Sequence, residues 1–366
     1  MGESKVGWLG KFVGDAESTD QFIKHPDHIE LLAAGLLGEA GSVLAEVKKG
    51  VREGPAYPIP RAKVLEEIGD VLWYYIRLVS MMEPGLLREL ESVNHRGPKP
   101  SQKNPLTQVL DFGTSVGALV AVVRRSGDPD PRNIREAFRD VWIELNHVST
   151  ATQIPLWEAA LANEIKRANR WPTKPVPLPV FDDEYPEEEQ LPRSLDIEFR
   201  ERKGAGAPVV ILRIKGLNIG DRLTDNIEAP DEYRYHDVFH FGHAAFLGWS
   251  PVVRAILRCK RKSRPSVDEN EDGGRAQVVE EAISAMVFSR AKEMSFFQEV
   301  DHLEYDLLKN IQGLTRGYEV ERVPLWQWEK AILRSYAVFR RLRENRGGRV
   351  HVDLIRRSIE YRSLQT

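Results

Sequence analysis

A single cysteine, Cys259, stands in a chain of 366 residues, which excludes an intrachain disulfide framework and any cysteine-based zinc site. That economy fits a reducing compartment, so a cytoplasmic setting is expected. Charge of one sign is not in excess either. The 52 Lys and Arg residues nearly balance the 55 Asp and Glu residues, and the net charge of −3 supplies no global field to draw in nucleic acid or an anionic membrane. A nucleic-acid partner is not expected. No run of about eighteen apolar residues suggests a membrane span, and the opening Met-Gly-Glu-Ser-Lys-Val has neither a signal-peptide core nor the Ser/Thr that myristoylation needs, so no membrane role is expected. Strand signals are scarce as well. What remains is a chain with 42% hydrophobic residues, enough for two or three domains with cores of their own.

The stretch from Gly35 to Tyr75 reads as two helices. Glu39, Ser42, Val43 and Glu46 recur at i, i+3, i+4 and i+7 on the first, which forms a polar stripe. On the second, Leu65, Ile68, Leu72 and Tyr75 form a core stripe while Glu67 and Asp70, three residues apart, project together from the adjacent face. Carboxylates gathered in a helical bundle repel one another unless a hard cation neutralises them, and Mg²⁺ takes oxygen ligands of this kind.

The same residues carry a resemblance. Gly35-Leu-Leu-Gly-Glu39-Ala-Gly-Ser42-Val-Leu-Ala-Glu46-Val-Lys48-Lys49, followed by Glu66-Glu67-Ile-Gly-Asp70-Val-Leu-Trp73-Tyr74, resembles the MazG-like all-α nucleoside triphosphate pyrophosphohydrolases. That family places a Glu-x-x-Glu pair on one helix and a Glu-x-x-Asp pair on the next, which hold Mg²⁺ while water attacks the α-phosphate and pyrophosphate leaves. The resemblance implies that Glu39, Glu67 and Asp70 are catalytic metal ligands, with Mg²⁺ as cofactor and Mn²⁺ as a substitute. Ser42 replaces the second Glu of the first pair and removes one anionic ligand, and Glu46, one turn further on, is a weak additional ligand. Lys48 and Lys49 join the substrate-contact candidates, as does Trp73, which with Tyr74 is a candidate for base recognition.

A second copy follows the linker Gly97-Pro-Lys-Pro-Ser-Gln-Lys-Asn-Pro. Phe112-Gly-Thr-Ser115-Val-Gly117-Ala118, ending in Arg124-Arg125, can be laid on Leu37-Gly-Glu39-Ala-Gly41-Ser42, ending in Lys48-Lys49, and Glu136-Ala137-Phe-Arg-Asp140 falls on Glu66-Glu67-Ile-Gly-Asp70. Ser115, Ala118 and Ala137 stand where Glu39, Ser42 and Glu67 stood, so this copy has lost its metal site. It ends instead in Asn163-Glu-Ile-Lys166-Arg167-Ala-Asn169-Arg170, similar to the family's phosphate-contacting Asn-x-x-Lys-x-x-x-Arg helix, whereas the first copy has only Asn94-His95-Arg96 there. Asn163, Lys166 and Arg170 are therefore expected to serve the first copy's acids in one divided active site.

From Pro172 to Arg193 the composition turns Pro-rich and then acidic, which reads as a solvated linker. Asp196 to Arg202 and Val209 to Ile214, around Gly204-Ala-Gly206, read as a β-hairpin and as the only strand signal of any strength. Tyr235-His236-Asp237-Val-Phe-His240-Phe-Gly-His243, Gly248-Trp-Ser-Pro and Glu280-Glu281-Ala-Ile-Ser284 are similar to the C-terminal domain appended to some MazG-like proteins. Glu280-Glu281 also falls on Glu66-Glu67, which suggests a third degenerate copy. His236 and His240, at i and i+4, can share a metal with Asp237, Glu280 or Glu281. The basic run Lys260 to Arg264 is expected to fold onto Asp268 to Asp272 through ion pairs, and Arg340 to Arg362 to form a packed helix with a basic outer face.

The expected architecture is thus mainly α: a tandem MazG-like bundle over 1–171 (copies about 8–96 and 105–171), a linker over 172–193, and a hairpin plus degenerate helical bundle over 194–366. The expected function is Mg²⁺-dependent hydrolysis of a nucleoside triphosphate to the monophosphate and pyrophosphate. A nucleotide sensor with little turnover, its output carried by the C-terminal domain, and a metal hydrolase centred on His-Asp-x-x-His are the alternatives. A homodimer joined through the C-terminal domain is expected because that module has no intrachain copy to pair with.

Overall fold

The computed structural model describes residues 7–57, 60–94, 104–124, 131–203 and 206–364. His95, Arg96, most of the first linker, Arg125 and the first two positions of the hairpin turn lie outside the described residues. Two compact units result, Met1–Trp171 and Pro172–Thr366.

The first unit is all helix: α1 (Trp8–Ser18), α2 (His28–Glu53), α3 (Pro60–Met82), α4 (Leu87–Asn94), α5 (Pro105–Val123), α6 (Pro131–Thr152) and α7 (Leu156–Arg170). Periodicity explains the pairing. Leu32, Leu36 and Val43 on α2 and Ile68, Leu72, Tyr75 and Val79 on α3 are fully buried, each stripe facing the other. Val109, Phe112, Val116 and Leu119 on α5 do the same against Phe138, Val141 and Leu145 on α6. Each such side chain contributes about 1.5–3 kcal/mol on leaving water. Helix ends follow local chemistry: the Asn104 side chain accepts from the Thr107 amide at 2.9 Å with Pro105 in the first turn, and Gly54-Pro-Ala stops α2 in a 3₁₀ turn. Contrary to expectation, two segments, His28–Ala56 and Pro105–Val123, are long and apolar enough to cross a membrane, although both bury part of their surface in this core.

In the second unit the expected hairpin is the centre of a larger sheet. Strands β1 (Ser194–Lys203), β2 (Pro208–Ile214), β3 (Leu217–Leu223), β4 (Gly347–Asp353) and β5 (Ser358–Arg362) run antiparallel in the order β3-β2-β1-β4-β5. The helix expected over Arg340 to Arg362 ends at Glu344, and β4 and β5 replace its second half. The reason is a period of two: Val350 and Val352 point inward opposite Ile197 and Leu195, while Arg349 and His351 face outward toward Glu198 and Asp196.

Between the strands run α8 (Asp237–Leu247), α9 (Pro251–Leu257), α10 (Pro265–Asn270), α11 (Gly274–Glu293), α12 (Tyr305–Leu314) and α13 (Leu325–Glu344). The inner face of the sheet packs on α8 and α13. Those two helices approach so closely at Gly242 that a Cβ there would lie 1.7 Å from Ser335 Oγ. The basic run closes as expected, because Arg261, fully buried, grips both oxygens of Asp272 and also Glu319. The acidic stretch before β1 is not simply solvated. Asp182 is fully buried between Arg193 and Arg254 at 2.8 and 2.7 Å and accepts from the Leu191 amide.

Candidate active site

Helix α2 presents Glu39, and α3 presents Glu67 and Asp70 one turn apart. One oxygen from each of the three carboxylates lies within 4.8 Å of the others. Partial burial and mutual repulsion make their charged forms costly. Burial first, then Asp70 and Glu39, push the Glu67 carboxyl up to about 7. Burial and Asp70 likewise raise Glu39, and Asp70 is raised by burial even though Lys166 opposes it. A set of anionic oxygens this close is the donor chemistry that suits Mg²⁺ or Mn²⁺.

Helix α7 supplies the positive side. The Lys166 ammonium donates to Asp70 and lies 3.2 Å from Glu66, and the Asn163 amide donates to the other Asp70 oxygen at 2.7 Å. Asp70 and Glu66 hold the Lys166 pKa above its ordinary value although burial works the other way. This contact depends on Gly69, where a Cβ would sit 2.7 Å from the Ala159 carbonyl oxygen and 3.0 Å from Asn163 Cβ. The acids of residues 8–96 and two polar side chains of residues 105–171 therefore meet at one place.

Other expected residues are placed differently. Ser42 donates back to the Gly38 carbonyl at 3.3 Å. Glu46 accepts from the Tyr57 hydroxyl, with the Lys49 ammonium 4.4 Å above the Tyr57 ring. Lys48 is exposed, and the Arg170 guanidinium lies 4.4 Å over the Trp171 ring. Trp73 is buried, its indole donating to the Thr19 hydroxyl just past the end of α1. Tyr74 is half-buried beside the acids, where burial, Glu39 and Asp70 push its hydroxyl up to about 12. Sequence reasoning did not single out Glu66 or Tyr57. The doubled acid Glu66-Glu67 was the available signal for the first, and a tyrosine inside a Pro-rich break gave none for the second.

In the second unit, His236, Asp237 and His240 converge with Glu280 and Glu281 of α11. His240 is fully buried, its Nδ1 3.0 Å from Glu280 and its Nε2 3.3 Å from Glu281. His236 Nε2 lies 3.2 Å from Asp237 and 3.8 Å from Glu281. Glu280 also accepts from His243, from the Ser250 hydroxyl and from the Val252 amide at 2.8–3.0 Å. Although burial works to raise it, His240 and His243 hold the Glu280 carboxyl down to about 2. His243 and Ser250 escaped notice as site residues. The Ser-Pro step that makes Ser250 the cap of α9 was the readable clue.

Residues 176–365 match the family model described as MazG C-terminal domain, just over half of the chain. The chain belongs to the MazG C-terminal domain family. This bears out the resemblance read from the His236 to Ser284 segment and puts the buried histidine cluster inside the matched region. The MazG C-terminal domain match begins at residue 176, so it takes in Asp182 and most of the stretch expected as linker. No curated protein matches the chain, and no solved structure does.

Proposed function

We propose that the first unit hydrolyses a nucleoside triphosphate to the monophosphate and pyrophosphate with Mg²⁺ or Mn²⁺. The observation that carries this reading is the meeting of Glu39, Glu67 and Asp70 within 4.8 Å, with Lys166 and Asn163 reaching Asp70 from α7. Membership in the MazG C-terminal domain family hints in the same direction. A bound divalent cation would neutralise phosphate charge and lower the pKa of a coordinated water.

The chain's own groups have distinct tasks in this scheme. Glu39, Glu67 and Asp70 would hold the cation, and Glu67 orients the water that attacks the α-phosphorus as the bond to the bridging oxygen breaks and pyrophosphate departs. Asn163 fixes the Asp70 carboxylate. Lys166, paired with Asp70 and Glu66, turns to the phosphates when substrate enters. Arg170, one turn along α7, extends that positive edge. The first two copies are proposed to be a tandem duplication in which one keeps the acids and the other the cations.

Pyrophosphate release over a panel of nucleoside triphosphates with Mg²⁺ tests the reading. Glu67→Gln should abolish release and Lys166→Ala should raise KM. Release unchanged in Glu67→Gln would reject it. The Ser42 contact with the Gly38 carbonyl favours a second reading, a nucleotide sensor lacking one metal ligand. There, a nucleotide with Mg²⁺ raises the melting temperature and no pyrophosphate appears.

A further inference from the structure

We propose that the second unit holds a divalent first-row transition metal between His236 and His240, with Asp237 and Glu281 completing a two-histidine, two-carboxylate set. The argument starts from hydrogen positions. His236 Nδ1 donates to the Tyr233 carbonyl at 2.9 Å, and the Tyr233 ring stacks flat on the imidazole at 4.2 Å, so the ring is fixed with Nε2 facing the cluster. His240 has Glu280 3.0 Å from Nδ1, which directs its Nε2 to the same place. His240 is fully buried, and its two ring nitrogens face carboxylates, Glu280 at 3.0 Å and Glu281 at 3.3 Å. A buried imidazole held by one carboxylate at Nδ1 while its Nε2 meets another, next to a second histidine, is a donor arrangement that suits a divalent cation.

Spacing supports the same conclusion. Atoms bound at about 2.1 Å to one cation stand roughly 3.0–3.4 Å apart in octahedral or tetrahedral geometry. His236 Nε2 to Asp237 is 3.2 Å, His240 Nε2 to Glu281 is 3.3 Å, and His236 Nε2 to Glu281 is 3.8 Å. One donor atom each from His236, Asp237 and His240 falls within 4.8 Å of the others. Glu280 acts behind this set. It is saturated by His243, Ser250 and the Val252 amide, and it holds His240 in place, the carboxylate–histidine–metal arrangement that tunes and orients a ligand. Mixed nitrogen and oxygen donors select Mn²⁺, Fe²⁺, Co²⁺ or Zn²⁺ over Mg²⁺. The Glu281 side chain is 44% exposed, so this edge of the site is open to solvent and to an exchangeable ligand.

The test uses the full-length chain carrying Glu67→Gln, which silences the carboxylates of the first unit, stripped with a chelator and titrated with Co²⁺ under visible absorption and calorimetry. One Co²⁺ per chain is expected, with affinity lowered tenfold or more by His236→Asn and by Glu281→Gln. The second substitution alters a partly exposed side chain, so it keeps the test decisive if a histidine variant fails to fold. A folded chain that takes up neither Co²⁺ nor Zn²⁺, or an affinity unchanged in both variants, overturns the proposal.

Discussion

Replacing Glu67 by glutamine should make the cation-free protein more stable. In the folded chain its carboxyl sits at about 7 against an ordinary 4.5, so its charged form is disfavoured by at most about 3.4 kcal/mol. Solvent screening of a half-buried side chain and sharing with Glu39 and Asp70 reduce this to about 1–2 kcal/mol. The sign follows from the proton affinities. The folded state binds the proton more tightly than the unfolded state, so the favourable contribution is complete below about pH 4.5 and is lost as pH rises toward 7. Glutamine removes that loss. In chelator at pH 8 the first unit of Glu67→Gln should melt about 2–8 °C higher than wild type, and the advantage should shrink toward pH 5. Mg²⁺ at ten times its dissociation constant should restore about 1.4 kcal/mol to wild type and leave the variant unmoved. Scanning calorimetry across pH 5–8 with and without Mg²⁺ measures all of this. A variant that melts below wild type at pH 8, or an advantage equal at both ends of the range, refutes the repulsion argument.

Gly69→Ala should cost about 1–3 kcal/mol and weaken Mg²⁺ binding, since its methyl group collides with the Ala159 carbonyl and pushes α7 off Asp70; thermal melts and a metal titration read both effects. Ser42→Glu, which adds an anion one turn beyond Glu39, should tighten Mg²⁺ binding about tenfold, and an unmoved titration midpoint would show that this position does not face the acids. Asp182→Asn should destabilise the second unit by about 3–5 kcal/mol in denaturant titration, because it strips Arg193 and Arg254 of their buried counter-charge. A fragment ending near Asn104 should be inactive and self-associated by light scattering. It bares Tyr75, which donates to the Phe138 carbonyl and stacks on Trp142, and a monomeric, fully active fragment would contradict the divided site.

The helices of the first unit were readable because their information is local: apolar residues at helical spacing fix which face turns inward, and the acids at i and i+3 then share a side. The partners of Asp70 were readable only through resemblance, since nothing near Asn163 and Lys166 in sequence points to a residue so far upstream. Strands β4 and β5 were misread for a physical reason. Val350, Val352 and Leu354 alternate with Arg349, His351 and Asp353, but the Leu and Ile positions nearby also fit a helical interval, and only pairing with β1 decides between them. Asp182 was hidden inside an acidic run whose other members do meet solvent, because burial of this one carboxylate depends on where Arg254, 72 residues downstream, comes to rest beside it.

The sheet order also sets a timetable for synthesis. Strand β1 lies in the middle, with β2 on one side, yet its other neighbour, β4, is encoded roughly 150 residues further along. At 5–20 residues per second a ribosome needs about 8–30 s to cover that distance. During that interval the emerging chain carries a β-meander whose β1 edge is still bare, and an inner face, Ile197 and Phe199 among it, still waiting for α13. Aggregation in the cell is then a race between the arrival of β4 and the approach of another nascent chain, so slow codons or stalling after β3 would harm this protein more than the same pause placed among the helices of the first unit.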